Sequence, residues 1–174
     1  MLRKMTFCLS ITLFTAALAI AQEFPKPGTE HERLKTFEGT WDAVMDMGGQ
    51  KTKATAVYKL ICEGMWLQSD FRGDVGGAPF QGHGIDGYNL VSKKYVGIWV
   101  DSMSSAPMQM EGNYDEKTKL MVMTGESQGP DGKPQKFKTT TENKDKDHFT
   151  FKMYMVGDGN ADEPIFTIEY TRKK

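Results

Sequence analysis

The sequence predicts an all-β fold, an antiparallel up-and-down barrel of about ten strands with a short N-terminal helix. Short segments that alternate apolar with polar residues recur along the chain, separated by turns rich in Gly and Asp. Phe37-Glu38-Gly39-Thr40-Trp41 puts a Gly-x-Trp where a helix passes into the first strand. Arg172 ends the last strand, so we expect Gly39, Trp41 and Arg172 to close one end of the barrel, with the guanidinium stacked on the indole. Closure hides the sheet edges most completely, and a two-sheet sandwich is the alternative.

The N-terminal residues 1–21 are typical of a cleaved signal peptide. Arg3 and Lys4 precede an apolar stretch, and Ala19-Ile20-Ala21 supplies the small residues of a cleavage site. The apolar stretch is short for a membrane span. We therefore expect a periplasmic or secreted product without a membrane span after cleavage. It would consist of a flexible tail (residues 22–28) and a single β-barrel domain (residues 29–174).

Charge and cysteine content exclude several classes of protein. The formal net charge is −1, and it becomes −3 without Arg3 and Lys4, so nothing indicates a nucleic-acid partner or a polybasic membrane anchor. The mature chain retains only Cys62 and cannot form an internal disulfide. We expect Cys62 to be a buried small apolar residue, with an intermolecular bridge or a reactive thiol as alternatives.

One helix is expected before the strands. Thr29-x-x-Glu32 matches a capping box, and Leu34 and Phe37 place apolar side chains on one face. Gly39 is expected to end this helix. The strands that follow are predicted at Trp41–Met47, Lys51–Lys59, Met65–Asp74, Phe80–Tyr88, Tyr95–Ser102, Met108–Tyr114, Lys119–Gln128, Phe137–Asn143, Phe149–Val156 and Ile165–Arg172.

Motifs for catalysis or nucleotide binding are weak. Gly82-His83-Gly84-Ile85-Asp86-Gly87 matches G-x-G-x-x-G, but it leads into another strand rather than a helix. Alternate glycines in a barrel strand more simply permit bending or leave room for a bulky neighbour. No nucleophile motif and no zinc-ligand spacing is present, so we assign no catalytic residue and no metal ligand, and enzyme activity is unsupported.

Methionine is unusually frequent and comes in pairs. Eight methionines form four M-x-M pairs, and residues two apart on a strand share a face: Met45/Met47, Met108/Met110, Met121/Met123 and Met153/Met155. Such pairs fit three hypotheses. They can be adaptable core filling around an irregular cavity, a Cu(I) site of thioethers, or an apolar pocket for a ligand.

Trp99 and Asp101 lie two apart on the fifth predicted strand and share a face with Tyr95. If this face points inward, Asp101 is a buried acid that needs a partner, such as a Tyr hydroxyl, Arg72 or a ligand cation. If it points outward, Asp101 is an ordinary solvated charge.

Several segments stand in a recognisable order: Glu30-His31-Glu32-Arg33-Leu34, Glu38-Gly39-Thr40-Trp41, Gly84-Ile85-Asp86-Gly87-Tyr88-Asn89, Gly97-Ile98-Trp99-Val100-Asp101-Ser102-Met103, Glu111-Gly112 and Tyr170-Thr171-Arg172-Lys173. In this order the chain, from about Thr29 to Lys173, resembles the bacterial family catalogued as domain of unknown function 1579. That family has no established activity and lends no catalytic residues. The resemblance implies a bacterial source, and hence a periplasmic or secreted protein.

More distantly, the Gly-x-Trp with a closing Arg is similar to lipocalin-like barrels and to haem-binding nitrobindins. The lipocalin resemblance implies an apolar cavity lined by the inward faces. The nitrobindin resemblance implies a proximal His on a late strand, for which His148 is the nearby candidate. Alternation places His148 opposite Phe149 and Phe151, and this weighs against haem.

We therefore expect a binding protein for a small apolar or amphipathic molecule, without a firm cofactor. The expected lining residues, with Tyr88 and Asp101 as polar handles, are Trp99, Met108, Met110, Met153 and Met155. The alternatives are a filled barrel that acts through its surface in an envelope assembly, a copper binder, and an unrecognised enzyme. The ligand's identity and the oligomeric state do not follow from the sequence.

Overall fold

The computed structural model describes residues 24–129, 131–157 and 163–174. One α-helix and one 3-10 turn accompany ten strands in this part of the chain. The elements are α1 (Thr29–Lys35), β1 (Gly39–Met47), β2 (Gln50–Ile61), the 3-10 turn (Cys62–Gly64), β3 (Trp66–Val75), β4 (Ala78–Asn89), β5 (Lys94–Asp101), β6 (Met108–Asp115), β7 (Leu120–Gln128), β8 (Pro134–Asn143), β9 (His148–Val156) and β10 (Phe166–Arg172). The predicted signal peptide and the first residues of the predicted tail lie outside the described residues.

The strands form a closed antiparallel barrel, which confirms the predicted fold class. Each strand pairs with its neighbours in sequence, and β1 pairs with β10 to complete the ring. Closure brings Trp41 opposite Arg172. Because the ring is closed, each of these ten strands pairs with a neighbour on both sides, and none of them is an edge strand.

The end at which β1 begins is filled by aromatic side chains. Trp41 is 2% exposed, and its ring lies edge-on to Phe149, with 4.7 Å between ring centroids. Phe149 in turn stacks on Tyr170 at 4.1 Å. The Trp41 indole N–H donates to the backbone carbonyl of Phe37, 2.8 Å away, which ties the segment after α1 to the barrel wall.

Arg172 seals the same end from outside. Its guanidinium carbon lies 4.0 Å from the Trp41 ring centroid, and its N–H groups donate to the carbonyls of Thr36, Glu38 and Lys146. Gly39 has a φ of +129°, and a Cβ there would lie 2.8 Å from the guanidinium. Gly39 thus provides both the backbone conformation and the space for Arg172.

The start of α1 differs from the prediction. Gly28 is the N-cap, and its N–H donates to Nδ1 of His31 at 2.9 Å. The predicted capping box of Thr29 and Glu32 is therefore wrong, because the helix begins one residue earlier and His31 reaches back to the cap. Gly39 does not end the helix, which stops at Lys35, but is the first residue of β1.

Cys62 is exposed, so its predicted burial is wrong. It lies in the 3-10 turn between β2 and β3, where the chain is outside the sheet and the side chain does not face the core.

A smaller difference from the prediction concerns β8, which begins at Pro134 rather than Phe137. Proline is tolerated at the first residue of a strand, where no ladder N–H is required.

Candidate functional site

The barrel encloses a cavity of about 450 Å³. One end is covered by α1 and the segment after it, through Leu34 and Phe37. At the other end, where β1 stops and β3 turns into β4, the lining includes Met47, Val75 and Phe80. The site is therefore a blind pocket with a floor beneath α1 and a mouth among the opposite turns.

Several inward positions of the barrel carry small residues. Ala43 and Ala56 are 1% exposed and pack in the core below the cavity. On β4 the inward positions Gly82 and Gly84 have no side chain, and a Cβ at Gly82 would lie 2.1 Å from the Trp99 ring. The glycines let the Trp99 indole lie flat against β4, and this matches the expectation of room for a bulky neighbour.

Thioethers form much of the cavity wall. The lining methionines include all members of the M-x-M pairs except Met155, together with Met103 from the β5–β6 connection: Met45, Met47, Met103, Met108, Met110, Met121, Met123 and Met153. Aromatic rings of Phe71, Phe151 and Trp99 complete the apolar surface. Flexible, polarisable side chains of this kind adapt to ligands of irregular shape.

Trp99 and Asp101 both point inward, so the solvated alternative for Asp101 does not hold. The Trp99 indole N–H donates to one carboxylate oxygen of Asp101 at 2.9 Å, and the backbone N–H of Met103 donates to the other at 2.8 Å. Asp101 is thus a partnered carboxylate near the mouth. Its partners are neighbours in sequence, rather than the Tyr hydroxyl or Arg72 that the sequence suggested.

The structure brings five of the seven expected lining residues to one cavity: Trp99, Asp101, Met108, Met110 and Met153. Tyr88 lies outside the lining and packs against Tyr95 and His31, at 5.0 and 6.1 Å between ring centroids. Met155 also lies outside the lining, in register with Phe137.

Asp86 is a second acid in the cavity lining, and it is not among the lining residues predicted from the sequence. It lies on the inward face of β4, opposite Leu67 on β3 and Gly97 on β5. Its carboxylate has no hydrogen-bond donor or basic partner among the described residues. Burial raises the pKa of Asp86 from 3.8 to about 7. The available signal was its two-residue spacing from Gly84, which puts it on the same inward face.

Two tyrosines lie in the same part of the cavity. Tyr58 and Tyr170 interact through their hydroxyls, and burial raises the pKa of both above the usual range for tyrosine. The nearby negative charge of Asp86 raises the pKa of Tyr58 further. Both phenols are therefore neutral around pH 7, and Asp86 is the group here that titrates in that range.

Among residues 24–129, 131–157 and 163–174, no group of three or more His, Cys, Asp or Glu side chains could hold an ion. His148, the candidate from the nitrobindin resemblance, lies on the outside of β9 with its Nδ1 2.9 Å from Asp145.

The outer face of the same wall carries an apolar patch. Trp66, Ile85 and Ile98 are 37%, 40% and 39% exposed, and Ile85 and Ile98 are cross-strand partners on β4 and β5. A shallow groove beside them extends toward Pro107 and Gln109.

No helix in the described ranges has the length and apolar character to span a membrane.

Comparisons with known proteins identify the family to which this chain belongs. The chain matches the model of a family described as "Protein of unknown function (DUF1579)" over residues 26–172. A search of curated proteins found no match. Among solved structures, a redesigned beta barrel is similar at 14% sequence identity and a TM-score of 0.44, with 81% of this chain and 95% of the other covered. Because the family match spans most of the 174 residues, this chain belongs to the DUF1579 family of proteins of unknown function.

Proposed function

We propose that the mature protein is exported to the periplasm or secreted, and that it holds a small apolar or amphipathic molecule inside its barrel. The observation that carries the proposal is the blind cavity of about 450 Å³, which falls in the usual range for small-molecule sites. The signal-peptide pattern of residues 1–21 supports export.

The chemistry of the wall supports an apolar body for the ligand. Thioethers and aromatic rings dominate the lining, and polar groups such as Ser69, Thr139 and the two acids are few. A barrel filled by its own side chains would leave no such volume. The transfer of an apolar molecule from water into a cavity with an apolar wall is favourable, because it removes apolar surface from water.

A neutral hydrophobic dye, N-phenyl-1-naphthylamine, tests the proposal. Thr141 lines the cavity, whereas its neighbour Thr140 lies on the opposite face of β8. Thr141→Phe should fill part of the cavity and reduce dye binding at least tenfold, while Thr140→Phe should bind as the wild type does. Circular dichroism and urea titration would establish that both variants are folded.

Two results would overturn the proposal. The first is an absence of dye fluorescence enhancement with the wild-type protein. The second is equal binding by the wild type and Thr141→Phe, because the dye would then occupy the outer surface rather than the cavity.

The outer patch of Trp66, Ile85 and Ile98 favours a second candidate function, an envelope-assembly role for the outer surface. Changing Ile85 and Ile98 together to Ser separates the two functions. A cavity function predicts unchanged dye binding in this variant, and a surface function predicts that self-association or partner binding is lost while the cavity is intact.

A further inference from the structure

Asp86 is a carboxylate inside an apolar cavity, and none of the described residues donates a hydrogen bond to it or forms an ion pair with it. It lies opposite Leu67 on β3 and Gly97 on β5, and it is one of the residues that line the cavity. Natural proteins rarely leave a buried acid without a donor, since the ionised form then loses its hydration without compensation. A group that is costly in the empty protein is therefore a candidate for contact with a ligand.

The barrel wall makes room for this carboxylate. A Cβ added at Gly97 would lie 2.3 Å from the Asp86 carboxylate oxygen, so a side chain at position 97 would displace it. The other nearby atom at this position is the Met123 methyl, at 3.7 Å. The carboxylate thus lies against the bare backbone of β5, beside a thioether, with its free side toward the cavity.

The charges of the lining all have one sign. Asp86 and Asp101 line the cavity, and no Lys, Arg or His lines it among the residues that the structure describes. Asp101 already accepts two hydrogen bonds, from Trp99 and from the backbone of Met103. Asp86 is therefore the carboxylate with capacity for an incoming donor, and the described lining offers no cation to an anionic head group.

We propose that the ligand carries a protonated amine that pairs with Asp86, while its apolar body lies along the methionine wall. This inference rests on the proposed binding function and narrows its ligand class. An ammonium supplies both the charge and the N–H donors that the carboxylate lacks, and a charge-assisted hydrogen bond is about twice as strong as a neutral one. A fatty acid with the same chain length as the amine would place its carboxylate beside that of Asp86, and repulsion between the two anions would weaken its binding.

The test uses three probes of equal length with different head groups: decylamine, 1-decanol and decanoate. Each is titrated at pH 8 into the folded mature protein by isothermal calorimetry, with decylamine and decanoate below their critical micelle concentrations and decanol below its aqueous solubility. We expect decylamine to bind at least tenfold more tightly than decanol, and decanoate to bind most weakly. Asp86→Asn should abolish the preference for the amine and leave decanol binding within about twofold of the wild type.

Asp42→Asn is the matched control. Asp42 lies on the outer face of β1, with its side chain 62% exposed. Asp42→Asn therefore removes the same charge as Asp86→Asn without changing the cavity. The preference for decylamine should persist in this variant. Equal binding of decylamine and decanol to the wild type, or an amine preference that survives in Asp86→Asn, would overturn the inference and leave the binding function intact. Failure of all three probes to bind would instead overturn the binding function itself.

Discussion

Replacing Asp86 by Asn is expected to stabilise the empty protein at neutral and alkaline pH. The carboxylate lies in an apolar cavity with no donor from the described part of the chain, and its burial raises the pKa from 3.8 to about 7. Each unit of pKa corresponds to about 1.4 kcal/mol, so ionised Asp86 costs the folded state up to about 4 kcal/mol. Water in the cavity lowers this figure, because it solvates part of the charge. Asn has the same shape and no charge, and thus avoids the cost.

The pH dependence has a defined sign. Below pH 3.8 the carboxyl is protonated in both the folded and the unfolded chain, so wild type and Asp86→Asn should be nearly equal in stability. As pH rises from about 4 to about 7 the unfolded chain ionises first, and the wild type progressively loses stability. Above about pH 7 the difference should remain constant. The titratable groups that line the cavity beside Asp86 are Asp101 and three tyrosines, Tyr58, Tyr95 and Tyr170. The raised pKa values of the tyrosines keep them neutral throughout this range.

Urea titrations at pH 4, 5.5, 7 and 8.5 measure this difference directly. The free energy of unfolding of Asp86→Asn minus that of wild type should grow from near zero to several kcal/mol. The contributions of the other carboxylates are the same in both proteins and cancel in the subtraction. A difference that is constant with pH, or a variant that is less stable at pH 8.5, would refute the assignment of Asp86 as an unpartnered buried acid.

Three further substitutions test the closed end and the cavity wall. Arg172→Ala removes the contact with Trp41 and three hydrogen bonds to carbonyls, and should lower the free energy of unfolding by about 2–4 kcal/mol in urea. Gly82→Ala puts a methyl group where the Trp99 ring lies, and should cost about 1–3 kcal/mol and shift the tryptophan emission spectrum. His31→Ala removes the side chain that caps α1 and leaves a cavity, and should cost about 1–3 kcal/mol by thermal unfolding.

Each of these has a result that contradicts it. Wild-type stability for Arg172→Ala would mean that water replaces the guanidinium without cost. An unchanged emission spectrum for Gly82→Ala would mean that the Trp99 ring does not lie against β4. For His31→Ala, the control is Glu32→Ala on the exposed side of α1, which should change stability by less than about 0.5 kcal/mol.

The strands and their faces were predictable because alternation is a local property. The contact between Trp41 and Arg172 was also predictable from the sequence, since these residues occupy the two strands that must pair when the barrel closes. The α1 cap was not predictable, because a His that accepts from the N-cap does not follow the Ser/Thr–Glu pattern. Cys62 could not be placed either, since its exposure depends on where β2 ends.

The hollow interior and Asp86 required the three-dimensional structure. Whether ten strands leave a void depends on barrel radius and strand stagger, and these follow from pairing rather than from composition. Asp86 belongs to the glycine motif Gly82–Gly87, which drew attention to the glycines rather than to the acid, although its two-residue spacing from Gly84 indicated that its side chain points inward. Its lack of a partner is a property of all the neighbouring strands together, and no single segment reveals it.

A native mass spectrum of the mature chain, residues 22–174, purified gently from a periplasm, shows whether the barrel carries a ligand. We expect a bound mass that is lost on denaturation, that contains nitrogen, and that is absent from Thr141→Phe but present in Thr140→Phe. A bare protein mass for the wild type, or an adduct that Thr141→Phe retains unchanged, would contradict this expectation.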